Sequence, residues 1–331
     1  MYDCDRDTDR RRPTDGIASA HDDFTDARVW HEEAATQAPS STEGTTVTSW
    51  GLDFTYATYR DLLEAGLTAG YEFLTVEQYL RRKPVDAETV AQTASPDGIS
   101  GRPKADGGDG LPEKFVILRH DIDRKPENAL AMARLEAEHG ISGTYYVRTI
   151  GKTFKPDLIR RIEDLGHEVG YHFEDLDRAD GDQEAALSSF RTELDKLRTI
   201  VDVETVCMHG NPLTPYDNRD LLKEADFADF DLLGEAYLSA DFTDLTYFSD
   251  TGRTWRDGPL KVKDHTMGEG EKDVQVDTTF ELIGLLLTQE VDHPYILVHP
   301  NRWAGSYPEF VSEHAKDTAV NVVKRGLNLL T

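Results

Sequence analysis

From Lys114 onward, short apolar runs alternate with longer stretches whose apolar positions recur every three or four residues. The runs FVILRH (115–120), TYYVR (144–148), HEVGYH (167–172), VETVCMH (203–209) and YILVH (295–299) read as strands. Between them, PENALAMARLEAEHG (126–140) predicts a helix started by Pro126 and stopped by Gly140. Further helices are predicted over KPDLIRRIEDLG (155–166), about 183–200, TTFELIGLLLT (278–288) and about 308–330. Upstream, Tyr59, Leu62, Leu63 and Leu67 mark one helix face, and YEFLT (71–75) a short strand. Residues 211–272 are less regular, and no internal repeat is evident. Repeated strand–helix units of this length argue for an α/β fold with parallel strands inside and helices outside, as an open sheet or a barrel.

Two segments lack such periodicity. Residues 1–48, rich in Asp, Thr, Arg, Ser and Ala, read as a disordered acidic tail, and residues 86–112 as a flexible Gly/Asp/Pro-rich insertion. That leaves 49–331 as a single domain.

The polar residues collect in one place. FVILRH runs into Asp121 and Asp123, HEVGY into His172, Glu174 and Asp175, VETVCM into His209 and Asn211, and YILV into His299, Asn301, Arg302 and Trp303. Each set follows an apolar strand, so all lie at the C-terminal strand ends, where α/β sheets and barrels bind ligands. Asp121 and Asp123 are two apart, as are His172 and Glu174, so in extended chain each pair points one way. A divalent cation such as zinc takes imidazole nitrogen and carboxylate oxygen. A further carboxylate can then serve as general base, and a His across the pocket as general acid. Against this stand plainer roles. Asp-x-Asp before Pro126 also suits a turn and helix cap, His167 suits packing, and His139 suits a helix C-terminus. His21, His31, His265, His293 and His314 carry no functional expectation.

Taken together, the motifs resemble the polysaccharide deacetylase family (NodB homology, carbohydrate esterase family 4) over about Phe115 to Trp303. The resemblance implies a distorted (β/α)7-type barrel with a divalent metal, zinc by preference, at the C-terminal strand ends. It also implies a hydrolase of carbon–nitrogen bonds other than peptide bonds, a deacetylase acting on a small-molecule or glycan substrate. RHDID matches the first motif and implies Asp121 as base and Asp123 as ligand, the two roles being exchangeable. GHEVGYH implies His172 as a metal ligand, and YILVH implies His299 as general acid. MHGNP and SDTGRTW imply a pocket of Asn211, Asp250, Arg253 and Trp255, with Arg302 and Trp303 beyond His299. The family's second metal histidine falls on Leu176, which binds no metal. Glu174 is the first substitute, followed by His209, with Asp175 also near. Loss of the metal would leave a non-catalytic glycan-binding or assembly protein, and a third alternative is an amidase of a non-sugar small amide.

Charge narrows the partners. With 63 acidic against 36 basic residues and a net charge of -27, the surface disfavours nucleic acid and anionic lipid. A pI near 4.7, with the acidic excess spread along the chain, suits a salt-rich, halophilic cytosol. The two cysteines, Cys4 and Cys207, are expected to be free thiols. No secretory h-region and no membrane-length apolar run stand in the chain, so a cytoplasmic protein without membrane insertion is expected. Oligomeric state is not legible in these patterns.

Overall fold

Strand β2 (Phe115–Ile122) is buried along its whole length, and the other strands assemble around it. A computed structural model describes residues 51–83, 110–258, 260–261, 263–264, 266 and 274–328. The expected tail over 1–48, Cys4 and most of the expected insertion at 86–112 lie outside the described residues. β1 (Glu72–Leu74) pairs with the first half of one edge of β2, and β3 (Thr144–Val147) with the second half. β8 (Pro294–Val298) takes the other edge. Beyond these come β4 (Glu168–Phe173), β5 (Thr205–Met208), β6 (Gly234–Glu235) and β7 (Thr246–Ser249), in the order β6-β5-β4-β3-β2-β8-β7. Every ladder is parallel.

The result is a distorted (β/α)7-type barrel. Among the described residues no ladder joins β6 to β7, but the sheet curls until side chains bridge the gap. Tyr237, just past β6, meets Tyr247 of β7 with hydroxyl oxygens 3.0 Å apart, and Tyr295 of β8 donates to the Ala236 carbonyl at 3.2 Å. β6 and β7 fall in the stretch read as less regular. β6 is two residues long, too short for an alternation to register, and β7 is the four residues Thr246–Ser249.

The described α-helices are α1 (Tyr56–Thr68), α2 (Val76–Arg82), α3 (Pro126–Glu138), α4 (Pro156–Asp164), α5 (Asp175–Arg178), α6 (Gln183–Arg198), α7 (Thr279–Thr288) and α8 (Tyr307–Asn328). Their starts follow local chemistry: Pro at the first turn of α3 and α4, and capping boxes Thr75/Gln78 on α2 and Thr278/Glu281 on α7. Among the described residues no helix is long and apolar enough to cross a membrane.

Strand alternation divides β2 into two faces. Val116 and Leu118 pack outward with Tyr59 and Leu62 of α1, Met132 of α3 and Leu282 of α7. His120 faces the same way, 3.0 Å from the fully buried Glu136, which also accepts from Tyr59 (2.7 Å) and Tyr145 (2.8 Å). His167 sits beside this cluster. Its Nε2–H donates to the Ala133 carbonyl at 2.8 Å and its Nδ1 accepts the Gly143 N–H at 3.1 Å, which is the bonding of a neutral structural histidine.

Phe115, Ile117, Arg119 and Asp121 form the inward row of β2, so the barrel lining changes from apolar to charged toward the C-terminal strand ends. Gly170 of β4 makes room for this lining. A Cβ there would lie 2.3 Å from the Tyr146 ring and 2.7 Å from the Thr205 carbonyl. Tyr146 therefore occupies the interior, hydroxyl on Thr205 Oγ1 at 2.8 Å. Gly170→Ala should destabilise the domain by about 1–3 kcal/mol through overpacking, read as a lower urea midpoint with an unchanged m-value.

Candidate metal centre

Asp123, His172 and His209 come from the ends of three strands and place one ligand atom each within 4.8 Å of the others. His172 Nε2 is 3.5 Å and His209 Nε2 3.4 Å from Asp123 Oδ1, a buried oxygen with no hydrogen-bond partner. The second nitrogen of each ring faces an acceptor. His172 Nδ1–H donates to the Cys207 carbonyl at 3.0 Å, and His209 Nδ1 lies 3.3 Å from Glu174 Oε2. With those nitrogens protonated, both Nε2 atoms turn bare lone pairs toward a third lone pair on Asp123. Three converging lone pairs repel unless a cation lies among them. Ligand atoms at about 2.0–2.2 Å from a tetrahedral ion stand roughly 3.3–3.6 Å apart, so the donor set fits a divalent metal such as zinc.

Glu174, expected first as the third ligand, stands behind His209 instead. β4 ends at Phe173, and Glu174 leaves the strand at φ -140°, ψ 29° to cap α5. Its Oε2 accepts from Arg148 at 2.5 Å while facing His209. Burial opposes its charge, but His209 and Arg148 outweigh it and hold the carboxyl down at about 2. A carboxylate in this position orients a metal-binding imidazole. His209 is further fixed by its N–H on the Phe173 carbonyl (2.7 Å) and by Asn218 on its own carbonyl (2.8 Å). Leu176 is 3% exposed in the core, and Asp175 is occupied by Tyr171 and Ser189.

Two further groups adjoin the trio. Asp121 is held by a two-pronged ion pair with Arg119, at 2.9 and 2.6 Å, and its Oδ2 lies 3.6 Å from His172 Nε2. Burial would raise its pKa, but Arg119 and His172 outweigh that and hold the carboxyl below the usual range. His299 Nε2 lies 4.0 Å from Asp123 Oδ2, and its Nδ1–H donates to Asp250 Oδ1 at 2.6 Å. Burial disfavours the charged ring, but Asp250 prevails and lifts His299 above the ordinary imidazole value.

The pocket over these groups has a volume of about 240 Å³ and is lined by Asn211 and Arg302, among others. Asp250 sits behind it, accepting from the backbone N–H of His299 and from Trp303 Nε1, each at 2.9 Å. Three residues expected at the wall stand elsewhere. Trp255 and Trp303 are fully buried against Phe54 because large indoles fill the outer core, with Trp255 Nε1 on Thr279 at 3.0 Å. Arg253 is drawn away by Asp317, at 2.7 Å.

Four groups carried no role in the sequence reading. Arg119 and Arg148 were in view, since each is an inward position at the end of a strand, in phase with the acids they bind. Tyr237 and Asp264 were not. Both lie in the irregular stretch, where Tyr237 packs 4.3 Å from the Arg119 guanidinium and Asp264 accepts from the Tyr237 and Tyr247 hydroxyls.

No family model and no curated protein matches the chain. Among solved structures, it is similar at 15% identity and a TM-score of 0.31 to a family 4 carbohydrate esterase from Bacillus anthracis, covering 65% of this chain and 78% of that one. A CE4 family pseudoenzyme mutant with restored enzymatic activity also matches at 15% and 0.31, covering 66% of this chain and 65% of that one. The peptidoglycan deacetylase PdaC from Bacillus subtilis matches at 15% and 0.31 as well, covering 64% and 97%.

The donor geometry yields a graded expectation. His209→Ala should abolish stoichiometric zinc binding, and Glu174→Gln should weaken it by about 10–100-fold, as measured by competition with a chromophoric chelator. Equal affinities in the two variants and the parent would place the metal elsewhere.

Proposed function

We propose that the chain is a metal-dependent hydrolase that removes an acyl group, by preference N-acetyl, from a carbohydrate or related small amide. The observation that carries this reading is the pairing of each reactive side chain beside the Asp123–His172–His209 trio with its own buried counter-charge: Asp121 with Arg119, and His299 with Asp250. A divalent metal held by the trio would supply a Lewis acid for the scissile carbonyl and acidify water. Asp121 takes the proton from the attacking water. Its ion pair with Arg119 fixes the carboxylate and keeps it ionised near neutral pH. His299 Nε2–H gives a proton to the departing amine, and Asp250 fixes the tautomer that presents it. Barrel walls and the buried floor limit water around these groups.

Of the alternatives, the non-catalytic glycan-binding reading drew on Leu176. With Leu176 in the core and His209 beside Asp123 and His172, no observation favours it. An amide outside the sugars uses the same residues and differs only in what fills the pocket.

Acetate release from N-acetylated amino sugars by the zinc-loaded protein tests the reading, and no release from any such amide would defeat it. Asp121→Asn should lower kcat by about 10²–10⁴-fold while retaining zinc. Activity needs Asp121 ionised and His299 protonated. Since the folded value of His299 lies above its ordinary one, kcat/KM should fall as pH rises through that raised value, at higher pH than an ordinary imidazole would set. Asp250→Asn removes the charge that raises it, so the alkaline limb should move to lower pH; an unmoved limb would mean His299 is not the acid.

A further inference from the structure

Beside His299, one carboxylate is shared by two cationic side chains. Asp250 accepts from His299 at 2.6 Å and also lies 3.4 Å from Arg302 Nε, so one carboxylate faces two cationic groups. Arg302 Nε is buried with no hydrogen-bond partner, and its outer nitrogens have none among the described residues. Its side chain is 13% exposed and lines the pocket beside His299. Sharing recurs at Asp317, which lines the pocket and accepts from Arg124 at 3.3 Å and, from outside the lining, from Arg253 at 2.7 Å; among the described residues Lys263 bonds Thr214 Oγ1 and the Tyr216 carbonyl. The pocket carboxylates Asp121 and Asp264 are meanwhile occupied, by Arg119 and by hydroxyls. Arg302 thus stands beside His299 with its one counter-charge shared, in a pocket lined by four aspartates and by Arg124, Lys263 and Arg302.

We infer that Arg302 recognises a carboxylate on the amine-side fragment of the substrate, so that the preferred substrate is an N-acylated amino acid sugar or comparable anionic amide rather than a neutral one. The inference rests on the hydrolase reading for which side of the amide lies at His299. A guanidinium with free outer nitrogens matches a carboxylate in two parallel hydrogen bonds. A monoanion suits the site better than a dianion, because Asp121, Asp123, Asp264 and Asp317 line the same pocket and repel excess negative charge.

Binding separates this inference from the reading it rests on. Zinc-loaded Asp121→Asn protein, titrated calorimetrically, should bind 2-acetamido-2-deoxyglucuronate at least about tenfold tighter than N-acetylglucosamine. Adding Arg302→Gln should bring that ratio near one, and Arg302→Lys should restore part of it, with zinc content confirming that each variant is folded. A ratio near one in the parent, a ratio that survives Arg302→Gln, or tighter binding of N-acetylglucosamine 6-phosphate than of the uronate would each overturn the carboxylate site. In the protein with Asp121 intact, an Arg302-dependent binding preference without acetate release would sink the hydrolase reading and leave the site standing. Acetate release with no preference for the uronate would do the reverse.

Discussion

A guanidinium with no solvent exposure sits inside the barrel, and much of the upper half of the domain is arranged around it. Arg119 is fully buried, and a buried charge left unpaired costs several kcal/mol. Its two-pronged contact with Asp121 meets that cost, and the Tyr237 and Tyr146 rings cover its faces at 4.3 and 5.6 Å. Tyr237 in turn hydrogen-bonds Asp264, which gathers Tyr247 and Ser249 of β7. One charge thus links the central strand to both ends of the open sheet, and it does so where, among the described residues, no backbone ladder closes the barrel.

The same arrangement sets the character of the site above it. Asp121 is fixed on one side by Arg119, His299 on the other by Asp250, and His209 from behind by Glu174, itself fixed by Arg148. Each group that faces the pocket has a partner buried below it. Such support holds side chains in place in advance, the form of preorganisation on which the proposed chemistry would draw.

Much of the fold was legible because its signal is local. FVILRH, HEVGYH and YILVH are buried on both faces, so they read as continuous apolar runs, and Pro126, Gly140 and the Thr278/Glu281 box mark helix ends by their own backbone chemistry. β6, only two residues long, carries no period, and β7 was passed over inside the stretch read as less regular. In the candidate site, Asp121, Asp123, His172, His209 and His299 were all in view from their places after strands. Glu174 was given the ligand position on the premise that β4 runs on, whereas the chain turns into α5 one residue after Phe173. Trp255 and Arg253 were drawn to the pocket by motif position, but their burial is decided by Phe54, Thr279 and Asp317, residues far away in sequence.

By itself the sequence determined which residues sit at the C-terminal strand ends and that acids and imidazoles gather there, because strand alternation and the apolar runs are short-range. It also set the net charge of -27, a matter of composition. Only the tertiary structure decided which of those residues converge. The convergence of His209 on Asp123 and His172, the burial of Arg119 beneath Asp121 and the sharing of Asp250 between His299 and Arg302 depend on the register of parallel strands and the curl of the sheet. Those are set by packing among residues tens to hundreds of positions apart, and no local pattern encodes them.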